Sequence, residues 1–199
     1  IGVLAEAAKI NVINTIDYED AVRDGKIRII GKEVDDAYVA AATQQAEGDT
    51  REINIVYSPL HGAGQTNVLP VLRAAGFASI SVVEAQMVPD GNFPTVGNGK
   101  ANPEEPSAND MAVRQMLSEG ADIAITNDPD ADRIGVIVRQ NKEPVYLNGN
   151  QSAVLATDYV LQQRAVKKML DGRQYIAKTI VTTDLLDAIA HKYNVNIYG

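Results

Sequence analysis

Short β-branched runs alternate with helix-like segments along most of this chain, and glycine or proline marks each change. INIVY (53–57), SISVVE (79–84), ADIAIT (121–126) and IGVIV (134–138) are apolar runs of strand length, each bounded by turn residues. Between them lie segments with helical composition and spacing. The segment from Thr66 ends at Gly76 and places Val68, Leu69, Val71 and Leu72 on its apolar face. The segment from Pro106-Ser107 ends at Glu119 and places Val113, Met116 and Leu117 at i, i+3, i+4. Such β-α-β alternation predicts an α/β fold, a layered mixed, largely parallel sheet with flanking helices.

Local signals divide the chain further. Asp17 to Arg23 reads as a short helix stopped by Gly25, followed by a strand at KIRII (26–30). An Ala-rich helix starts near Glu33 and ends by Gly48. Thr66 is the expected N-cap of its helix, and Pro70 argues for a late start, because only the first turn tolerates a missing N–H. Beyond NKEP (141–144) come VYLN and a helix expected to be capped by Asn150 and to run to about Arg164. A strand (175–181), a helix (183–193) and a final strand NVNIY follow. The alternation thus occurs twice, with the second unit truncated. Residues 85–106 form a long polar stretch, read as a binding loop or an interdomain loop.

Composition narrows the chemistry. The 199 residues hold 18 Lys+Arg against 26 Asp+Glu, a net charge of -8, which argues against nucleic acid as a partner. No apolar run approaches the roughly 20 residues of a membrane span. With no cysteine and only His61 and His191, thiolate and multi-histidine metal centres are excluded, so a metal here needs oxygen ligands. A cytoplasmic location is expected. The chain begins at Ile1 and stops on Tyr198-Gly199, so it is expected to be a piece of something longer.

The sharpest chemical signal is Asp128-Pro129-Asp130-Ala131-Asp132-Arg133, set between two apolar strands. Three carboxylates this close repel one another unless a cation sits among them. Carboxylate oxygens suit a hard ion such as Mg2+. The EF-hand pattern fails, since Arg133 and Arg139 stand where Gly and Glu are required. The haloacid-dehalogenase pattern fails too, since Asp132 stands where Thr or Val is usual. The alternative is a solvated Asp-rich turn. Arg133 beside the triple either offsets its charge or binds a phosphate. His61-Gly62-Ala63-Gly64 reads as a tight turn or as a nest of N–H groups for an anion. Lys178 reads as an edge lysine by itself, and His191 as a surface residue.

With these motifs on the page, the chain resembles the α-D-phosphohexomutases, the phosphoglucomutases and phosphomannomutases. DPDADR is similar to their metal loop, Asp-Gly-Asp-(Gly/Ala)-Asp-Arg, in a Pro form seen in phosphoglucomutase-like members. SPLHGAG (58–64), PDGNFPTV (89–96) with NPEEP (102–106), NGNQ (148–151) and KTIVTTDLLDAIA (178–190) resemble further family segments in order. The resemblance implies the end of a first domain (1–33), a complete second α/β domain with the metal loop (34–139) and a partial third (140–199). It implies phosphoryl transfer between the 1- and 6-hydroxyls of a hexose phosphate through a phosphoserine and a hexose bisphosphate. The glucose type is favoured, with a phosphomannomutase or a non-enzymatic acidic metal-binding module as alternatives. Asp128, Asp130 and Asp132 match the Mg2+ ligands, Arg133 a phosphate-binding arginine and Lys178 a substrate-binding lysine. No Thr-Ala-Ser-His-Asn-Pro or Gly-Glu-Glu-Ser-Gly segment is present. The catalytic serine is therefore missing, and the chain alone is expected to be inactive.

Overall fold

A computed structural model describes residues 2–199. Its contacts group the chain into two compact units, one running through Asp36 and the other Ala37–Gly199. The first holds α1 (Gly2–Ala7) and α2 (Tyr18–Arg23). Asp17 caps α2, its carboxylate accepting from the N–H groups of Glu19 and Asp20. Residues 26–30, expected as a strand, pair with no other strand among the described residues. Their β-branched composition is a preference that only a partner ladder converts into a strand. The Ala-rich helix is α3 (Lys32–Thr43), which spans the boundary between the units.

In the second unit, β1 (Ile55–Ser58) is followed by α4 (Val68–Ala74) and β2 (Ile80–Val82). The cap of α4 is Asn67, not Thr66. The Asn67 side chain accepts from Val68 N–H, whereas the Thr66 hydroxyl is used on the Ala63 carbonyl of a preceding 3-10 turn. Pro70 therefore falls in the first helical turn, as its missing N–H requires. Next come α5 (Asp110–Glu119), β3 (Ile123–Asn127), β4 (Ile134–Gln140) and β5 (Glu143–Leu147). Gly120 ends α5 in the left-handed conformation at φ 70.

These strands form one sheet in the order β2-β1-β3-β4-β5. β1 runs parallel to β2 and β3, and β3-β4-β5 is an antiparallel meander. The position 139/140 thus lies near a hairpin turn, and the sheet continues through β5. Asn141 and Lys142 at that turn both have positive φ, which fits the twist of a two-residue hairpin. α5 packs its Ala112, Val113 and Met116 on Val56, Ala124 and Ile137 of the sheet.

α6 (Gly149–Val166) then begins at Asn148, not at Asn150. Asn148 and Gln151 make a reciprocal capping box, while the Asn150 side chain accepts from the Thr183 N–H. β6 (Tyr175–Ala177), α7 (Leu185–Tyr193) and β7 (Asn196–Tyr198) make a second, two-stranded parallel sheet. β6 is shorter than the expected 175–181, because a turn at Thr179–Thr182 ends it. Leu161 of α6 packs with Leu186 and Ile189 of α7. Three of the five strand pairings are parallel, which makes this a mixed, mostly parallel α/β fold with flanking helices. No described helix is long and apolar enough to cross a membrane.

Candidate metal centre

β1 and β3 are adjacent and parallel, so their C-terminal ends leave the sheet on the same edge, where α/β sheets hold their ligands. The chain leaves β1 into the turn 58–64 and leaves β3 into the loop 128–133. That loop closes the hairpin to β4, because Asn127 pairs with Ile134.

The loop gathers the three acids. Alternating residues of an extended strand point to opposite faces, but Ala131 takes a left-handed φ of 59 and its N–H returns to the Asp128 carbonyl at 3.0 Å. One carboxylate oxygen from each of Asp128, Asp130 and Asp132 consequently lies within 4.8 Å of the others. Asp128 is only 2% exposed, while Asp130 and Asp132 face solvent. The Arg133 N–H reaches Asp128 Oδ1 at 2.9 Å and Arg133 Nε reaches Oδ2 at 2.7 Å. Arg133 Nη1 also donates to Asn102 Oδ1 at 3.1 Å, and Asn127 Nδ2 donates to the Arg133 carbonyl at 2.7 Å. Both ends of the loop are thus tied down.

The electrostatics divide the triple. Burial pushes the Asp128 carboxyl up, but the N–H and guanidinium of Arg133, with a hydrogen bond from Asp132, outweigh it and hold the group below the usual carboxylate range. Asp132 is raised, first by its hydrogen bond with Asp128 and then by the charges of Asp130 and Asp128. One acid is therefore fixed as a charged acceptor while its neighbours crowd it.

The donor set fits Mg2+. Oxygens bound to one Mg2+ at about 2.1 Å can be at most about 4.2 Å apart. Only an opposed pair reaches that span and adjacent ligands lie about 3 Å apart, so three oxygens within 4.8 Å of one another have to close by about 1–2 Å, a movement open to the exposed Asp130 and Asp132 side chains. Two buried polar atoms near the loop, the Tyr57 hydroxyl and Asn127 Oδ1, have no hydrogen-bond partner among the described residues.

The structure gathers Asp128, Asp130, Asp132 and Arg133 into this one centre, and it places Lys178 elsewhere. Lys178 follows β6 in the two-stranded sheet, where its Nζ is held by Asp184 at 2.8 Å and by Asp187. Those two hydrogen bonds raise its pKa. His191 is exposed in the last turn of α7. His61 and its glycines form no open anion nest. His61 is buried, and the Ala63 N–H donates to the Pro129 carbonyl at 2.8 Å. The stretch 85–106 is anchored at Val96 and Ala101, which are buried with Leu60 and Ala108. Two residues that tie the loop, Asn102 and Asn127, were not singled out from the sequence. Their contacts join distant segments, and Asn is otherwise read as an ordinary turn residue.

Comparison with known proteins identifies the surroundings of this centre. The family described as phosphoglucomutase/phosphomannomutase, alpha/beta/alpha domain II, matches residues 36–141. A phosphomannomutase of Mycoplasmoides pirum is 30% identical over 94% of this chain, which covers 34% of that protein. A probable phosphomannomutase of Haemophilus influenzae is 33% identical over 94% of this chain and 38% of its own length. A phosphoglucomutase of Staphylococcus aureus is 34% identical over 72% of this chain and 25% of its own length. The chain thus spans about a third of the first two relatives and a quarter of the third. Among solved structures, a phosphoglucomutase/phosphomannomutase family protein of Burkholderia thailandensis shares the fold, with a TM-score of 0.63 at 21% identity. The match covers 82% of this chain and 32% of that one. The family match takes in β1 through β4 and the carboxylate loop, and the chain belongs to the phosphoglucomutase/phosphomannomutase family.

Proposed function

We propose that this chain is the metal-binding core of a Mg2+-dependent phosphohexomutase that interconverts hexose 1-phosphate and hexose 6-phosphate. The observation that carries this reading is the convergence of Asp128, Asp130 and Asp132 at the C-terminal edge of the sheet, with Asp128 buried and clamped by Arg133. When bound there, Mg2+ supplies electrostatic stabilisation of the charge on a transferring phosphoryl group.

The residues divide the work by burial. Asp128 is held on both oxygens and sets the geometry of the centre. Asp130 and Asp132 are exposed and can close on a cation, Asp132 by giving up its hydrogen bond with Asp128. Arg133 uses Nε and Nη1 within the protein, while its Nη2 makes no hydrogen bond among the described residues and is available to a phosphate. Lys178 enters on the family resemblance alone. Its ammonium is engaged by Asp184 and Asp187, so a sugar phosphate has to compete with them. We keep the organisation into 1–33, 34–139 and 140–199 as part of this reading. The family match to residues 36–141 supports its middle part.

A phosphoserine donor and a hexose bisphosphate complete the scheme in the whole protein. The relatives carry both phosphomannomutase and phosphoglucomutase names. The glucose type is our preference on Pro129 in the loop, and comparing turnover of glucose 1-phosphate and mannose 1-phosphate by the whole protein tests it. Without the serine segment the 199-residue chain should show no mutase turnover, and measurable conversion of glucose 1-phosphate refutes that. The metal reading is tested by calorimetric Mg2+ titration of the chain. The triple Asp128→Asn, Asp130→Asn, Asp132→Asn variant should lose binding, and unchanged binding sinks the assignment.

A further inference from the structure

We infer that the 58–64 turn is a template for the carboxylate loop, with Gly62 setting the position of Pro129 and His61 anchoring the turn. This rests on the metal reading above and deepens it by assigning positioning residues to the site.

Gly62 has φ -101 and ψ -169, an extended conformation open to any residue, so backbone freedom does not explain the glycine. Space does. A Cβ there would lie 2.3 Å from Pro129 Cα, 2.6 Å from its carbonyl oxygen and 2.8 Å from its carbonyl carbon. These are backbone atoms and cannot rotate aside. The next residue, Ala63, donates its N–H to the same Pro129 carbonyl at 2.8 Å. A close contact and a hydrogen bond therefore both act on the residue between Asp128 and Asp130. A Cβ on Gly64 would lie 2.3 Å from the Tyr57 hydroxyl and 3.7 Å from Ala131 Cβ, so the turn follows the loop onward.

The turn is itself under strain and is held. Leu60 and His61 are consecutive non-glycine residues at φ 46 and 64, a conformation that persists only where the surroundings enforce it. A relay that is buried at Ser58 and Gln86 and ends on the exposed Thr95 supplies the enforcement. Leu60 N–H donates to Ser58 Oγ at 3.0 Å, Ser58 Oγ donates to Gln86 Oε1 at 2.6 Å, and Gln86 Nε2 donates to Thr95 Oγ1 at 3.0 Å. His61 Nε2 meets Thr95 Oγ1 at 2.8 Å, and Nδ1 meets the Val88 carbonyl at 3.0 Å. A carbonyl only accepts, so Nδ1 carries the proton. A neutral ring then accepts at Nε2 from the Thr95 hydroxyl, whose oxygen accepts from Gln86. Each of these contacts then joins one donor to one acceptor. The His61 N–H also donates to the Gln86 carbonyl at 3.0 Å, and the His61 carbonyl accepts from Asp90 N–H at 3.1 Å. The hydrogen bonds of these side chains go to one another and to backbone groups, not to the carboxylates, so they act through the backbone of the turn.

The test measures Mn2+ affinity of the chain by the electron paramagnetic resonance of free Mn2+, well below the melting transition. Circular dichroism melts in chelator report folding separately. Gly62→Ala should stay folded and weaken Mn2+ binding about tenfold, the scale of losing an outer-shell support. Thr95→Val, remote from the loop, should give a smaller loss in the same direction. Nitrogen NMR of the parent chain should show the His61 proton on Nδ1. A mere stability role would lower the melting point and leave the affinity of the folded chain unchanged. Parental affinity in folded Gly62→Ala, alongside lost binding in the triple Asn variant, overturns the template and leaves the metal reading standing. If Gly62→Ala does not fold, parental affinity in Thr95→Val overturns it instead. A parent chain that binds no Mn2+ overturns both.

Discussion

The five-stranded and two-stranded sheets both place a strand, a helix and a parallel strand in succession, yet they hold their polar strand ends in opposite ways. At the end of β3, Asp128 is buried, and backbone groups on two sides fix the loop that carries it. After β6, the Lys178 N–H donates to the Tyr198 carbonyl at 2.9 Å, but its ammonium is held by the side chains of Asp184 and Asp187, of which Asp184 is 99% exposed. The cores beneath differ in the same sense. Met116 sits fully enclosed among Val56, Ala112, Ala124 and Ile137. Leu186 shares its cluster with partly buried Val154, Leu170, Ile176 and Tyr193, and the strands beside it expose Tyr175 and Tyr198. A closed core transmits fixed positions to its loops, because close-packed side chains leave no alternative arrangement. An open one leaves its strand ends to ion pairs that a ligand can displace.

The contrast breaks most visibly in core truncations. Met116→Ala should cost about 4 kcal/mol, because the rigid surround cannot collapse on the cavity, and Leu186→Ala about 2 kcal/mol, because its neighbours can. Urea unfolding of both variants in chelator measures the pair. Equal losses would mean that the second core is as rigid as the first.

Legibility in the sequence follows the same division between local and distant causes. INIVY and ADIAIT are recognisable because a strand in a buried parallel sheet is apolar along its own length. The helix near Asp17–Arg23 is recognisable because its signals are local, although Asp17 turns out to be its cap and not its first residue. The cap of α4 was displaced by one residue, since the Thr66 hydroxyl is taken by a turn that no local pattern announces. KIRII failed as a strand for want of a partner, and β5 joins the first sheet through pairing that only the folded meander specifies. The acid triple was visible through charge crowding between two apolar strands. Its cradle was not, because Gly62 meets Pro129 across most of the intervening domain, and glycine in a turn is ordinarily explained by φ.

A second break concerns how Lys178 is held. Its hydrogen bond keeps the Asp184 carboxyl below the usual range. Asp184 therefore contributes stability above about pH 4 that is lost as pH falls through the lower folded value. The Lys178 pKa is raised by Asp184 and Asp187, so its contribution is complete below about pH 10.4 and is lost as pH rises through the raised value. Lys178→Met should flatten both limbs of the stability profile, read as urea midpoints against pH in chelator. An unchanged acid limb would assign it instead to Glu47, Asp122, Asp128, Asp158 and Asp171, which their own partners also hold low.

The smallest effect compares two glycines that both lie outside the left-handed region. Gly62 is confined by the Pro129 backbone, whereas a Cβ on Gly149 would meet only Glu104 Oε1, at 3.4 Å. Gly149 is the first residue of α6, and the Asn148–Gln151 capping box beside it does not involve its α-carbon. Alanine there keeps the cap and removes freedom from the unfolded chain. Gly149→Ala should therefore stabilise by about 0.5 kcal/mol. Thermal melts in chelator, paired with those of Gly62→Ala, read the difference. A loss at Gly149 would show that the start of α6 is tied to the Glu104 segment as tightly as the 58–64 turn is tied to the carboxylate loop. The second region would then owe its geometry to backbone contact as well, and the distinction between the two strand ends would narrow to the ion pairs of Lys178.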